Sequence, residues 1–140
     1  MQLKNIMTSN VASVQPSDTI KQAAEIMKNK NVGAVPVCQG QQTVGIVTDR
    51  DISIRALAGG KNCDTPVRDI MSSNPVSASP DMSLEAAAEL MAENKVRRLP
   101  VNDNGNLKGI VSLGDLAVEA KHDTEIAKTL SEISFPSKPE

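Results

Sequence analysis

The chain has 140 residues, a formal charge of −2 and a pI near 5.4, with no Trp, no Tyr and a single Phe. A chain of this length fits one domain or two very small ones. It buries roughly 70 % of its unfolded surface on folding, so its core must be built from Val, Ile, Leu, Ala and Met. A weakly acidic balance with almost no rings argues against a surface that tracks nucleic acid, which needs a basic excess and stacking aromatics. No window approaches the ~20 apolar residues that span a bilayer, and Met1–Asn5 lacks the apolar run of a signal peptide. A soluble cytoplasmic protein without membrane contact is expected. Cys38 and Cys63 are too few for a metal quartet or a disulfide framework and read as free thiols in a reducing compartment.

The first predicted element is a short extended piece, Val11–Val14. Pro16 then precedes a helix with apolar positions at i, i+3, i+4 and i+7: Ile20, Ala23, Ala24 and Met27. Thr19 and Gln22 have capping-box spacing. Two strands follow, Ala34–Cys38 and Val44–Val47, turning at Gly40. A second helix starts near Thr48 and stops at Ala58, before Gly59-Gly60. The connector Lys61–Thr65 is polar, and Thr65-Pro66 opens a one-turn helix with Pro at its first position.

The same sequence of elements then returns. Val76–Ala78 is extended, and after Pro80 a helix carries Leu84, Ala87, Ala88 and Met91, with Ser83 as N-cap and Glu85 in the first turn. Strands Leu99–Asn102 and Leu107–Val111 flank Asn104-Gly105, a hairpin signal. A last paired helix starts near Ser112 and passes Val118. His122, the only His, lies in a polar late helix with no second His or Cys nearby, so no metal site is expected. The stretch 129–140, ending Ser134-Phe135-Pro136-Ser137-Lys138-Pro139-Glu140, reads as a polar, disordered tail.

This return is a duplication. Ile6–Ile52 lies over Ile70–Leu116 at an offset of 64 without a gap, and 17 of the 47 aligned pairs are identical. Chance gives roughly a twentieth. Two copies of one β-α-β-β-α unit, each too small to bury its own face, are implied: residues 1–64 and 65–128, followed by the tail.

These motifs, in the same order twice over, resemble the cystathionine-β-synthase (CBS) domain family from about Leu3 to Lys128. They are Ile-Met near each start, Ser-Val-Gln-Pro and Ser-Ala-Ser-Pro before the first helix, and Val-Pro-Val and Leu-Pro-Val opening the hairpin. Gly-Ile-Val-Thr-Asp-Arg-Asp and Gly-Ile-Val-Ser-Leu-Gly-Asp close it. The resemblance implies an α+β fold in which two repeats pack about a pseudo-two-fold axis into one disc-like module. It also implies clefts for adenosine-containing ligands (AMP, ADP, ATP or S-adenosylmethionine) with no required cofactor. Homodimerisation, and regulation of a partner protein whose identity is open, belong to the same expectation.

Candidate ligand residues follow residue by residue. Thr48 with Asp51, and Ser112 with Asp115, have the spacing of a helix cap, which is a sufficient structural reason for them. A carboxylate at that place can also accept both hydroxyls of a ribose, and in the family the matching Asp does so. Arg97 and Arg98 match positions that often contact phosphate in the family, and guanidinium groups suit phosphate geometry. The aligned residues in the first copy are Gly33 and Ala34, so the site using Asp115 is expected to be the stronger. Arg50 or lysines are conceivable substitutes there. Val11, Ala12, Ile46, Val76, Ser77 and Ile110 are candidates for apolar walls and backbone amides around a base. No phosphate loop, HExxH or GxSxG motif is present, and no enzyme is expected. The alternative to a ligand sensor is a structural dimerisation module with vestigial clefts.

Overall fold

The computed structural model describes residues 1–119 and 124–134. Helix α1 is Ile20–Lys30, and strands β1 and β2 are Ala34–Gln39 and Gln42–Thr48. Helix α2 is Asp49–Asp51, continued by a π-helical segment over Ile52–Leu57, and β3 is Ser72–Ser73. Helix α3 is Leu84–Asn94, β4 and β5 are Arg98–Asp103 and Asn106–Ser112, α4 is Leu113–Glu119 and α5 is Thr124–Ser134. Single 3₁₀ turns at Leu3–Asn5 and Val67–Asp69 precede the two sets.

The chain divides into two compact units that cut across the sequence repeats. The first-repeat unit is Asn10–Pro75 with the hairpin tip Asn104–Leu107; the second-repeat unit is Met1–Ser9, Val76–Asp103 and Lys108–Glu140. Each repeat is thus completed by the opening segment of the other repeat.

In the first-repeat unit, α1 buries Ile20, Ala23 and Met27. Its start is the expected reciprocal cap: Gln22 N–H donates to Thr19 Oγ1 at 3.1 Å and Thr19 N–H to Gln22 Oε1 at 2.7 Å. It ends at Asn31 in the left-handed conformation. Strands β1 and β2 form an antiparallel hairpin whose two-residue turn begins at Gly40, with φ of 62°. A positive φ at that first turn position favours glycine. The segment after the Val67–Asp69 turn adds β3 to β2, pairing Ser72 with Ile46 and Ser73 with Gly45. Val35, Val37, Val47, Val67 and Ile70 meet in an aliphatic core. Pro66 caps the 3₁₀ turn from just outside instead of opening it, one residue from the expected place.

The second-repeat unit is built alike. Ser83 Oγ accepts from Ala86 N–H at 3.1 Å to start α3, which buries Leu84, Ala87, Ala88 and Met91. Asn104 and Gly105 have φ of 52° and 83°, the two positive values that a tight hairpin turn of this kind needs. Leu3 is fully buried, and Thr8 pairs with Ile110. Gly109 explains how this fits: a Cβ there would stand 2.7 Å from both Met7 Sδ and Thr8 O. Gly45 is in the same position towards Met71 and Ser72.

Two expectations change. The extended pieces before α1 and α3 pair at one residue each, Val14 with Val37 and Ala78 with Val101, both parallel. Val14 N–H donates to Pro36 O and its carbonyl accepts from Cys38 N–H. The next donor along that edge would be residue 16, which is proline and has no N–H; Pro80 ends the Ala78 pairing in the same way. The expected disordered tail is corrected over residues 129–134, which belong to α5. Leu130 packs against the unit's core, and α5 lies on α3, so this stretch has apolar area to bury. The remainder of the tail, residues 135–140, and His122 lie outside the described residues.

Candidate functional site

Each unit carries one reciprocal cap at the end of its hairpin. In the first, Thr48 N–H donates to Asp51 Oδ2 at 2.9 Å and Asp51 N–H to Thr48 Oγ1 at 3.1 Å. In the second, Ser112 N–H donates to Asp115 Oδ2 at 2.8 Å and Asp115 N–H to Ser112 Oγ at 3.1 Å. The capping reading is therefore correct for both pairs. It occupies one carboxylate oxygen and leaves the other, Oδ1, for a further partner. All four residues are half-buried, with access to solvent.

A second contact fixes what stands beside each cap. Leu113 N–H donates to Arg97 O at 2.7 Å, and Asp49 N–H donates to Gly33 O at 3.0 Å. The residue before the first hairpin strand thus holds the first N–H of the helix in both units. In the second this brings the Arg97-Arg98 pair to the Ser112–Asp115 cap. Arg97 is exposed, and Arg98 is half-buried at the start of β4. In the first, Gly33 and Ala34 occupy the matching places and bring no charge.

The free carboxylate oxygens also differ. Asp51 Oδ1 lies 3.7 Å from Arg55 Nε, four residues on. Arg55 Nη1 in turn donates to Ile70 O at 3.3 Å and stands 3.5 Å from Met71 O. Four residues after Asp115 stands Glu119, and Asp115 Oδ1 has no polar partner among the described residues. Arg55 was missed in reading the sequence. The available signal was the Asp-to-Arg spacing of i, i+4, at which helical side chains meet.

The base-wall candidates are placed unevenly. Val11 and Ala12 are half-buried, Val76 packs against the second core, and Ser77 is exposed. Ile110 exchanges both main-chain hydrogen bonds with Thr8, at 3.0 Å each, so it has only a side chain to offer. Ile46 is paired on both sides, with Pro36 and Ser72. At these two positions the segments 7–8 and 71–73 occupy the strand edge. Arg50 lines an open cavity of about 330 Å³ with Asp49, Ser53 and Ile54. Among the described residues no three His, Cys, Asp or Glu side chains could share a metal ion. Cys38 is buried and Cys63 exposed, both as free thiols. No helix among the described residues is long and apolar enough to cross a membrane.

A duplicated α+β unit with a capped helix start at the end of each hairpin defines the class, and comparison with known proteins gives it a name. The CBS domain family model matches residues 3–56 and 67–121. The chain belongs to the CBS-domain family. It is 48 % identical over 132 residues to the CBS domain-containing protein YhcV of Bacillus subtilis, covering 94 % of each chain. The structure of CBSX2 in complex with AMP is similar with a TM-score of 0.73 at 32 % identity, over 85 % of this chain and 95 % of that one. The CBS domain pair of protein MJ0100 was solved in complex with 5′-methylthioadenosine and S-adenosyl-L-methionine. It matches with a TM-score of 0.77 at 26 % identity, over 85 % of this chain and 94 % of that one.

Proposed function

We propose that this chain is a regulatory module that binds an adenosine-containing nucleotide and passes its binding state to a partner protein. The dominant site is in the second-repeat unit. Asp115 Oδ1 accepts the ribose hydroxyls, with Ser112 beside it, while Arg97 and Arg98 clamp phosphate and Val76, Ser77 and the Ile110 side chain line the base. The observation that supports this reading is the Leu113 N–H to Arg97 O bond at 2.7 Å, which ties the main chain of Arg97 to the start of the helix that Ser112 and Asp115 cap. Acceptor and clamp are what a nucleoside monophosphate offers partners for. The AMP and S-adenosylmethionine complexes of the related structures support the ligand class. Thr48 and Asp51, with Val11, Ala12 and Ile46, form the weaker counterpart in the first-repeat unit.

Ile54, Leu57 and Val118 are 54 %, 77 % and 66 % exposed, and apolar residues left in water on helices support homodimerisation through those helices. Sedimentation velocity tests that part: a monomer at tens of micromolar rejects it.

Titration calorimetry with AMP, ATP and S-adenosylmethionine tests the site. Asp115→Ala is expected to weaken binding more than Asp51→Ala, and the reverse order overturns the assignment. No rise in melting temperature with any of these ligands at millimolar concentration supports the purely structural module instead.

A further inference from the structure

The two candidate carboxylates differ in one respect that the duplication alone does not explain. Both keep Oδ2 for the cap, yet only one Oδ1 is engaged from within its own unit. Arg55 reaches back one turn to Asp51 and simultaneously holds main-chain carbonyls of the incoming segment, Ile70 O at 3.3 Å and Met71 O at 3.5 Å. The Asp51 side chain is 13 % exposed, so little of it remains for a ligand once the guanidinium is in place. The surrounding helix also departs from its counterpart. Residues Ile52–Leu57 form a π-helical segment in which Ala58 N–H donates to Ser53 O at 3.0 Å, whereas α4 continues as an ordinary α-helix. In the second-repeat unit the residue four beyond Asp115 is Glu119, which repels a second carboxylate instead of masking it.

From this we infer that Arg55 is an internal guard. It occupies the diol-accepting oxygen of Asp51 and keeps the first-repeat site closed to nucleosides, so the chain binds one nucleotide although it carries two copies of the binding unit. The guard is a cation standing where the ribose 2′- and 3′-hydroxyls would donate. A ligand must displace it or do without those two hydrogen bonds. An ion pair more than half exposed on one side is weak, but Arg55 also donates to two main-chain carbonyls, and releasing it leaves them short of that donor. The inference rests on the reading that Asp115 and Asp51 are diol acceptors.

The test is calorimetry of AMP and 2′-deoxyAMP on four proteins: wild type, Arg55→Met, Arg55→Gln, and Asp51→Ala combined with Arg55→Met. Far-UV circular dichroism and melting temperature report whether each is folded. Met keeps the apolar stem of Arg55, and Gln keeps a donor for the carbonyls, so at least one fold-compatible variant is expected. Wild type is expected to bind one AMP per chain. Either single variant should bind a second, about 10-fold or more weaker, which 2′-deoxyAMP does not fill and the added Asp51→Ala removes. One AMP per chain in folded single variants overturns the guard and leaves the Asp115 site standing. So does a wild-type protein whose two sites are already filled. No AMP bound by any of the four overturns the parent reading along with it.

Discussion

Gly109→Ala probes the feature on which the second-repeat unit depends, the crossing of Met7-Thr8 over β5. The new Cβ would lie 2.7 Å from Met7 Sδ, 3.0 Å from Met7 Cγ and 2.7 Å from Thr8 O. Sulfur at the end of a flexible side chain can move away, but a main-chain oxygen cannot move without its strand. Thr8 is tied to Ile110 by two hydrogen bonds of 3.0 Å, immediately next to the substituted residue. Overpacking of this kind costs about 1–3 kcal/mol, and loosening the two hydrogen bonds adds about 1 kcal/mol each. Alanine restricts the unfolded chain, which returns about 0.4–1 kcal/mol where φ is compatible, as it is here because Gly109 is not among the positive-φ glycines. A net loss of about 2–4.5 kcal/mol remains, which for a chain of this size lowers the melting temperature by roughly 7–15 °C. Gly45→Ala is the internal comparison. Its closest neighbour is Met71 Sδ at 2.5 Å and the nearest carbonyl, Ser72 O, is at 3.0 Å, so most of the conflict is with a side chain that can turn away. Its loss should be near 1 kcal/mol. Gly114→Ala, with only Ser112 Oγ at 3.6 Å and an exposed helical position, should stabilise by about 0.5–1 kcal/mol. Urea and thermal unfolding of the three proteins give the ranking. A Gly109→Ala protein as stable as Gly45→Ala refutes the reasoning, because the rigid carbonyl contact is what separates them.

Asp115→Asn keeps an oxygen to accept from Ser112 N–H but loses the charge, so stability should fall by less than about 1 kcal/mol while AMP affinity falls about 10–100-fold. Calorimetry and thermal unfolding on the same sample separate the two effects, and an unchanged affinity contradicts the ribose role. Arg97→Ala with Arg98→Ala should weaken AMP at least 10-fold, steepen no salt dependence and leave adenosine affinity nearly unchanged; equal losses for AMP and adenosine would mean that the pair acts through the fold. Removal of residues 1–8 takes away the fully buried Leu3 and the partner of Ile110. It should cost roughly 3 kcal/mol or more, and hydrogen exchange at the Ile110 amide should accelerate sharply; continued protection there would show that another group covers this edge.

Much of the local structure was legible because each element carries its own chemical signal. Thr19 with Gln22, Thr48 with Asp51, Ser83, and Ser112 with Asp115 all cap helices as their spacing predicts. Asn104-Gly105 turns the second hairpin. The core is aliphatic, as a chain with one Phe requires. The limits have equally specific causes. Periodicity finds apolar residues but does not say that Pro16 and Pro80 stop the preceding strands by lacking an N–H. The tail reads as polar and disordered, yet Leu130 supplies enough apolar contact to seat α5. At the candidate site, the arginine pair and the carboxylates are legible as candidates from residue type and spacing, whereas the contact of Arg55 with Asp51 emerges only from the structure.

The largest gap between sequence and structure concerns what a repeat is. Alignment divides the chain at residue 64, between two copies that look self-sufficient. Packing divides it otherwise: Val67 and Ile70, at the start of the second copy, fill the core of the first, and Leu3, at the start of the first copy, fills the core of the second. The physical reason lies in Gly45 and Gly109. Each leaves a gap beside its strand only as wide as a main chain, and each gap is filled by an Ile-Met-Thr/Ser segment whose own place in sequence is 64 residues from the equivalent one. A side chain added at Gly109 would press on the rigid carbonyl of Thr8, and one at Gly45 mainly on the side chain of Met71. Residues 33–34 against 97–98 lie outside the exchanged segments, whereas Arg55, which replaces the Glu119 of the other copy, holds the exchanged Ile70-Met71 carbonyls. Beside the caps, one copy carries a pair of arginines and the other an arginine turned towards its own carboxylate.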